Sequence, residues 1–149
     1  MTVFQAVLCG LLYWIGEAQL PFVSLWVVQR PLVCGMLTGL ILGDPVTGAV
    51  VGATINLVYL GFISAGGSMP ADMTLAGVLG TAYAITGNLD ADTALAIAVP
   101  LGLLGTIIWY LRMTFDSVFV HMGDKYISQG KFTKIYLSNV IYPHIFAMI

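Results

Sequence analysis

Residues 30–87 read RPLVCGMLTGLILGDPVTGAVVGATINLVYLGFISAGGSMPADMTLAGVLGTAYAITG, and Arg30, Asp44 and Asp72 are the only charged side chains among them. Those charges, with the loop Ser64–Asp72 (SAGGSMPAD), cut the stretch into the apolar runs Pro31–Gly43, Pro45–Ile63 and Met73–Gly87. Glycines recur four apart at Gly35, Gly39 and Gly43 and again at Gly48 and Gly52. That period puts small residues on one face of a helix, where they let backbones approach in lipid. A bilayer core about 30 Å thick takes about 20 helical residues at 1.5 Å each. Pro45–Ile63 is long enough, whereas Pro31–Gly43 reaches only about 20 Å. Short or Gly/Pro-interrupted apolar segments are the mark of broken helices. The expected fold class is an all-α integral membrane protein, a multispanning helical bundle with broken or re-entrant segments. The other reading of the short runs is ordinary tilted helices.

The rest of the chain agrees with a membrane setting. Of 149 residues, 59% are hydrophobic and 8% charged, with a formal net charge of −2. A soluble domain carries about 25% charge, so a soluble enzyme is excluded for want of solvated surface. Five Lys+Arg residues are too few to neutralise a nucleic-acid backbone, and the hydrophobicity excludes disorder. Met1–Gly16 is apolar, lacks a preceding basic residue and runs into a poor cleavage site at Gly16-Glu17-Ala18, so it reads as a retained membrane segment. Beyond Gly87 come an acidic turn, Asn88–Asp92, and a second run long enough to span, Thr93–Leu111. Arg112–Lys134 carries four of the five basic residues, which places it on the cytoplasmic side. Alternating outward from there puts Arg30 on the same side. Leu111, Phe115, Val118, Phe119, Met122 and Tyr126 recur at helical spacing, so 112–134 reads as an amphipathic cytoplasmic-side helix or as a continuation of the preceding helix into partner protein. Residues 1–149 form one membrane domain, ending inside the apolar run Ile135–Ile149 as an amino-terminal portion of a longer chain would.

No catalytic or metal-binding constellation is present. Cys9 and Cys34 lie singly in apolar runs, and His121 and His144 have no neighbouring phosphate cradle. GxSxG, Walker and HExxH motifs are absent, so no cofactor, metal or catalytic residue is expected. Binding residues are sought among polar groups costly to place in a membrane. Asn56 lies near the centre of an apolar run and needs a hydrogen-bond partner, either a neighbouring helix or a ligand. Glu17 and Gln19 stand where the first run breaks before Pro21. The glycine loop adds Ser64, Ser68 and Asp72, with Gly66-Gly67 permitting close approach of a ligand to backbone.

RPLVCG followed by GLILGDPVTG, then GATINLVYLG, the glycine loop with PAD, ALAIAVPLGLLG and HMGDKYISQGK resemble the IIC membrane subunit of the mannose/fructose/sorbose family of bacterial sugar phosphotransferase systems, a family that includes N-acetylgalactosamine systems. The resemblance covers nearly the whole chain after about residue 28. It implies a transport subunit, not an enzyme, in the bacterial inner membrane. Its implied partners are a IID membrane subunit and cytoplasmic IIA and IIB phosphocarriers in a hetero-oligomer, with a hexose or amino sugar as substrate. Family members are nearly twice this length, which implies a missing second half. Some mannose-type members carry Glu where this chain has Asn56, which leans toward the amino-sugar or sorbose-like branches. The residues expected to hold sugar are Asn56, Ser64, Ser68, Asp72, Gln19 and Glu17. Two readings from other classes stand beside this one. In a proton-coupled secondary transporter, Glu17 and Asp72 would titrate; in a non-transporting scaffold or receptor subunit, the glycine stripes would serve assembly alone.

Overall fold

The computed structural model describes residues 1–18, 27–63, 66 and 68–146, and all regular structure among them is helical. The order is α1 (Val3–Glu17), α2 (Pro31–Leu42), α3 (Pro45–Tyr59), α4 (Met73–Gly87), α5 (Ala91–Ser128), α6 (Phe132–Tyr136), a π-helical turn (Leu137–Ile141) and α7 (Tyr142–Phe146). The chain divides into two compact units, Met1–Thr106 and Ile107–Ile149.

The helix boundaries have local causes. Thr2 and Gln5 form a reciprocal capping box at the start of α1. From the same turn, Gln5 Nε2 donates to the Ile41 carbonyl at 3.1 Å, tying the start of α1 to the end of α2. Pro31 opens α2, where its missing N–H costs nothing. Gly43 closes it with φ +94°, a conformation that a Cβ would strain. Asp44 caps α3 by accepting from the Thr47 N–H at 3.0 Å, and Pro45 follows at the first helical position.

The two glycine series meet across α2 and α3. A side chain begun at Gly39 would meet Gly48 Cα at 2.9 Å, and one begun at Gly35 would meet Gly52 Cα at 2.8 Å. The pair is thus an antiparallel hairpin whose backbones touch, turning at Gly43-Asp44. Its helices have 12 and 15 residues, rises of about 18 and 22 Å, and neither reaches across a 30 Å core alone. This corrects the reading of Pro45–Ile63 as a full span. Helix α3 stops at Tyr59, where the Phe62 N–H turns back onto the Tyr59 carbonyl at 3.1 Å and the two rings pack at a 39° tilt with centroids 4.9 Å apart.

Helix α4 is the centre of the first unit. Thr74, Ala76, Gly77, Val78, Gly80, Thr81, Ala82 and Ala84 are all buried along it. It contributes Ala76 and Ala84 to one core cluster with Val51, Ile55, Tyr59, Ala71, Ala94 and Ala98. It contributes Val78 to another with Cys9, Leu12, Val28 and Cys34. The small residues admit close neighbours: a side chain begun at Gly80 would meet Ala98 Cβ at 2.7 Å and Ile55 Cδ1 at 2.8 Å. Outward faces are apolar instead, with Phe4 and Val7 on α1 and Val46, Val50 and Leu57 on α3 all exposed. Small residues inside and large apolar ones outside suit a bundle solvated by hydrocarbon, where packing rather than water exclusion holds helices together.

Asn88 ends α4 in the left-handed region (φ +50°), and α5 begins at Ala91. Among the described residues, α5 is the one helix both long and apolar enough to cross a bilayer by itself. It has 38 residues and contains Pro100. Helix α5 runs uninterrupted through Ser128, and Arg112 Nε stands 3.8 Å from Asp116 Oδ2 one turn on. A turn at Gly130 (φ +68°) then leads into α6. In the second unit Phe146 packs on Phe115 and Phe119, with ring centroids 5.0 and 6.0 Å apart, while Gly123 leaves room for the Asn139 amide.

Candidate functional site

Two of the six expected binding residues converge at the first turn of α4. Asp72 is 2% exposed and caps that helix, its Oδ1 accepting from the Leu75 N–H at 2.8 Å. Its Oδ2 accepts from the Tyr13 hydroxyl of α1 at 2.7 Å. Its own N–H donates to the Gly102 carbonyl of α5 at 2.8 Å. One residue thus joins α1, α4 and α5. Glu17, 7% exposed at the end of α1, accepts at Oε1 from the Thr74 hydroxyl at 2.9 Å. Tyr13 and Glu17 lie one turn apart on α1, and Asp72 and Thr74 lie two residues apart at the start of α4. The two helices are clasped by a pair of carboxylate–hydroxyl bonds.

The clasp requires close approach on two sides. Gly16 faces Thr74, and a Cβ there would meet Thr74 Cγ2 at 2.5 Å. Gly105 of α5 lies against the Asp72 side chain, with Oδ2 2.9 Å from where a side chain would begin. Each carboxylate oxygen of Asp72 already holds one donor and keeps a second acceptor direction. Asp72 therefore builds the fold whatever else it binds. The Tyr59 hydroxyl lies beside Gly102 on the same flank of α5, buried and without a hydrogen-bond partner among the described residues, as is Thr81 Oγ1 deeper along α4.

The other expected residues stand apart from this cluster or outside the description. Asn56 is half-buried on α3, and its amide makes no hydrogen bond to a described residue. Ser68 is exposed in the loop before α4. Gln19 and Ser64 lie outside the described residues. Reading the sequence for charged and amide groups missed Tyr13, Thr74 and Tyr59. For Tyr13 a signal existed, since it stands four residues before Glu17 and so on the same face of α1. Thr74 and Tyr59 gave none, being ordinary residues of apolar helices until the fold sets them beside a carboxylate. Among the described residues no group of His, Cys, Asp and Glu is placed to hold a metal ion.

Comparison with known proteins places this geometry in a family. Residues 3–149 match the family model described as the PTS system sorbose-specific IIC component. The PTS system sorbose-specific EIIC component of Lacticaseibacillus casei is 36% identical over 107 residues, covering 72% of this chain and 39% of that protein. The mannose-specific EIIC component of Escherichia coli K12 is 32% identical over 107 residues, covering 72% and 40%. The putative N-acetylgalactosamine permease IIC component 2 of the same organism is 35% identical over 103 residues, covering 69% and 77%. A cryo-electron microscopy structure of the mannose transporter ManYZ with microcin E492 contains a chain that superposes with a TM-score of 0.82 at 26% identity, covering 99% of this chain and 62% of that one. Against the sorbose and mannose relatives, the matched region is about two fifths of their length. With helices as the regular structure of the described residues, apolar outward faces and a match running from residue 3 to residue 149, the chain belongs to the PTS sorbose-specific IIC component family of membrane proteins.

Proposed function

We propose that this chain is the amino-terminal portion of a IIC permease subunit, carrying a hexose or amino sugar across the bacterial inner membrane for phosphorylation by its partners. The match to the IIC family along residues 3–149 carries this reading. The chain works within a hetero-oligomer with a IID membrane subunit, and cytoplasmic IIA and IIB phosphocarriers supply the phosphoryl group. It is multi-pass, with 112–134 on the cytoplasmic side because the basic residues gather there. Phosphorylation on that side traps the product and makes uptake one-way.

The sugar contacts are assigned to Asn56, Asp72, Glu17, Ser68, Gln19 and Ser64. Asn56 has an amide that makes no hydrogen bond to a described residue, and Asp72 and Glu17 bring carboxylates to the first turn of α4. In the complete system, Asn56→Ala and Asp72→Asn are expected to lower sugar uptake about tenfold each, the loss of one or two hydrogen bonds, while the complex still assembles. Wild-type uptake by both variants would remove the assignment. Deleting the cytoplasmic phosphocarrier is expected to abolish accumulation. Uptake that survives the deletion but collapses with the proton gradient would instead make this a proton-coupled carrier.

A further inference from the structure

The Tyr59 hydroxyl is the buried group that the arrangement leaves unexplained. Tyr59 is 2% exposed, and its oxygen has no hydrogen-bond partner among the described residues. An unpaired buried hydroxyl forfeits its hydration without return, and phenylalanine would fill the same space without that cost. Asp72 lies close by. Tyr59 Oη and the Asp72 carbonyl oxygen lie 2.6 and 3.1 Å from the single point where a Gly102 side chain would begin. The Asp72 carboxylate lies against the corresponding point of Gly105. Three residues of helix rise about 4.5 Å, so hydroxyl and carboxylate sit about one turn apart on a strip of α5 that has no side chain to part them.

That carboxylate is presently held by the other tyrosine, Tyr13, at 2.7 Å. We propose that Asp72 exchanges hydroxyl donors: Tyr13 of α1 holds it in the arrangement seen, and Tyr59 of α3 takes it over when the end of α1 withdraws from α4. The Asp72 carboxylate keeps a phenolic donor in both arrangements, so its half of the clasp opens without stranding it, while Glu17 parts from Thr74 and leaves with α1. Tyr13, half-buried rather than enclosed, is the tyrosine that can give up its bond to solvent or solute.

Cys34 offers a reporter that needs no sugar and no transport. It is 0% exposed, with its thiol 3.8 Å from the Thr74 carbonyl, and it packs in the cluster that holds Cys9 and Leu12 of α1. Withdrawal of α1 takes Cys9 and Leu12 out of that cluster and opens it toward the thiol. In the full-length protein within its complex, with Cys34 as the sole thiol and no sugar present, the rate of maleimide alkylation is measured. Tyr13→Phe is expected to speed alkylation about fivefold and Tyr59→Phe to slow it about fivefold, each the effect of one hydrogen bond on a two-state equilibrium. Tyr59→Phe deletes only an unpartnered oxygen, so packing is retained. An unchanged or faster rate in Tyr59→Phe overturns the exchange, as does an unchanged rate in Tyr13→Phe. Neither result depends on whether the protein carries sugar.

Discussion

The Tyr13 hydroxyl donates to Asp72 Oδ2 across a separation of 59 residues, joining the first helix to the residue that caps the fourth. Because Oδ1 of the same carboxylate caps α4 through Leu75, one side chain fixes both the start of a helix and its neighbour.

Removing that side chain is therefore expected to cost stability twice over. An N-cap lost to alanine costs about 0.5–2 kcal/mol, and an interhelical bond in a membrane about 0.6–2 kcal/mol. Asp72→Ala is expected to lower the detergent melting temperature clearly, and Asp72→Asn less, since an amide oxygen still caps. Equal melting of the two variants would show that the cap is not what Asp72 supplies.

Glu17 and Thr74 form the second bond of the clasp at 2.9 Å. A double-mutant cycle with Glu17→Gln and Thr74→Val is expected to show a coupling of about 0.5–2 kcal/mol in unfolding free energy. Additive effects would mean that the two side chains do not act together.

The hairpin of α2 and α3 gives a sharper contrast. Gly48→Ala sets a Cβ 2.7 Å from Gly39 Cα, backbone against backbone, whereas Gly10→Ala meets nothing within 4 Å. Removing a helical glycine at a site with room gains up to about 1 kcal/mol. Gly10→Ala is expected to melt at or above the wild-type temperature and Gly48→Ala well below it. The reverse order would mean that the helices do not touch at Gly48.

Asp90, in the turn before α5, accepts from the Thr93 hydroxyl at 2.5 Å, and that bond lowers its carboxyl below the usual range. A depressed folded-state value adds stability that is present above the ordinary carboxylate pKa and fades as pH falls through the folded one. Thr93→Val is expected to reduce this acid-side dependence of α5 stability, followed by helix content against pH. An unchanged acid limb would assign the dependence elsewhere.

How much of this was legible in the sequence differs residue by residue. Gly35, Gly39, Gly48 and Gly52 announced a close helix–helix contact by spacing alone, because the helical period puts every fourth residue on one face. Pro31, Gly43 and Pro45 marked helix ends through backbone constraints that act locally. Glu17 and Asp72 stood out because a carboxylate in an apolar run must have a reason. The end of α3 at Tyr59 was not legible: apolar residues continue to Ile63, and hydropathy does not distinguish a helix from the turn that follows it.

Composition and period alone thus determined that the chain is helical, belongs in a membrane and packs on glycines, since those follow from transfer energetics and from 3.6 residues per turn. Only the tertiary structure decided that Tyr13 serves Asp72, that Thr74 serves Glu17 and that Tyr59 has no hydrogen-bond partner among the described residues. Such pairings join residues 57 and 59 positions apart. No local property of a tyrosine or threonine says which distant carboxylate it will meet. That is settled when helices with small side chains approach until their few polar groups must find one another.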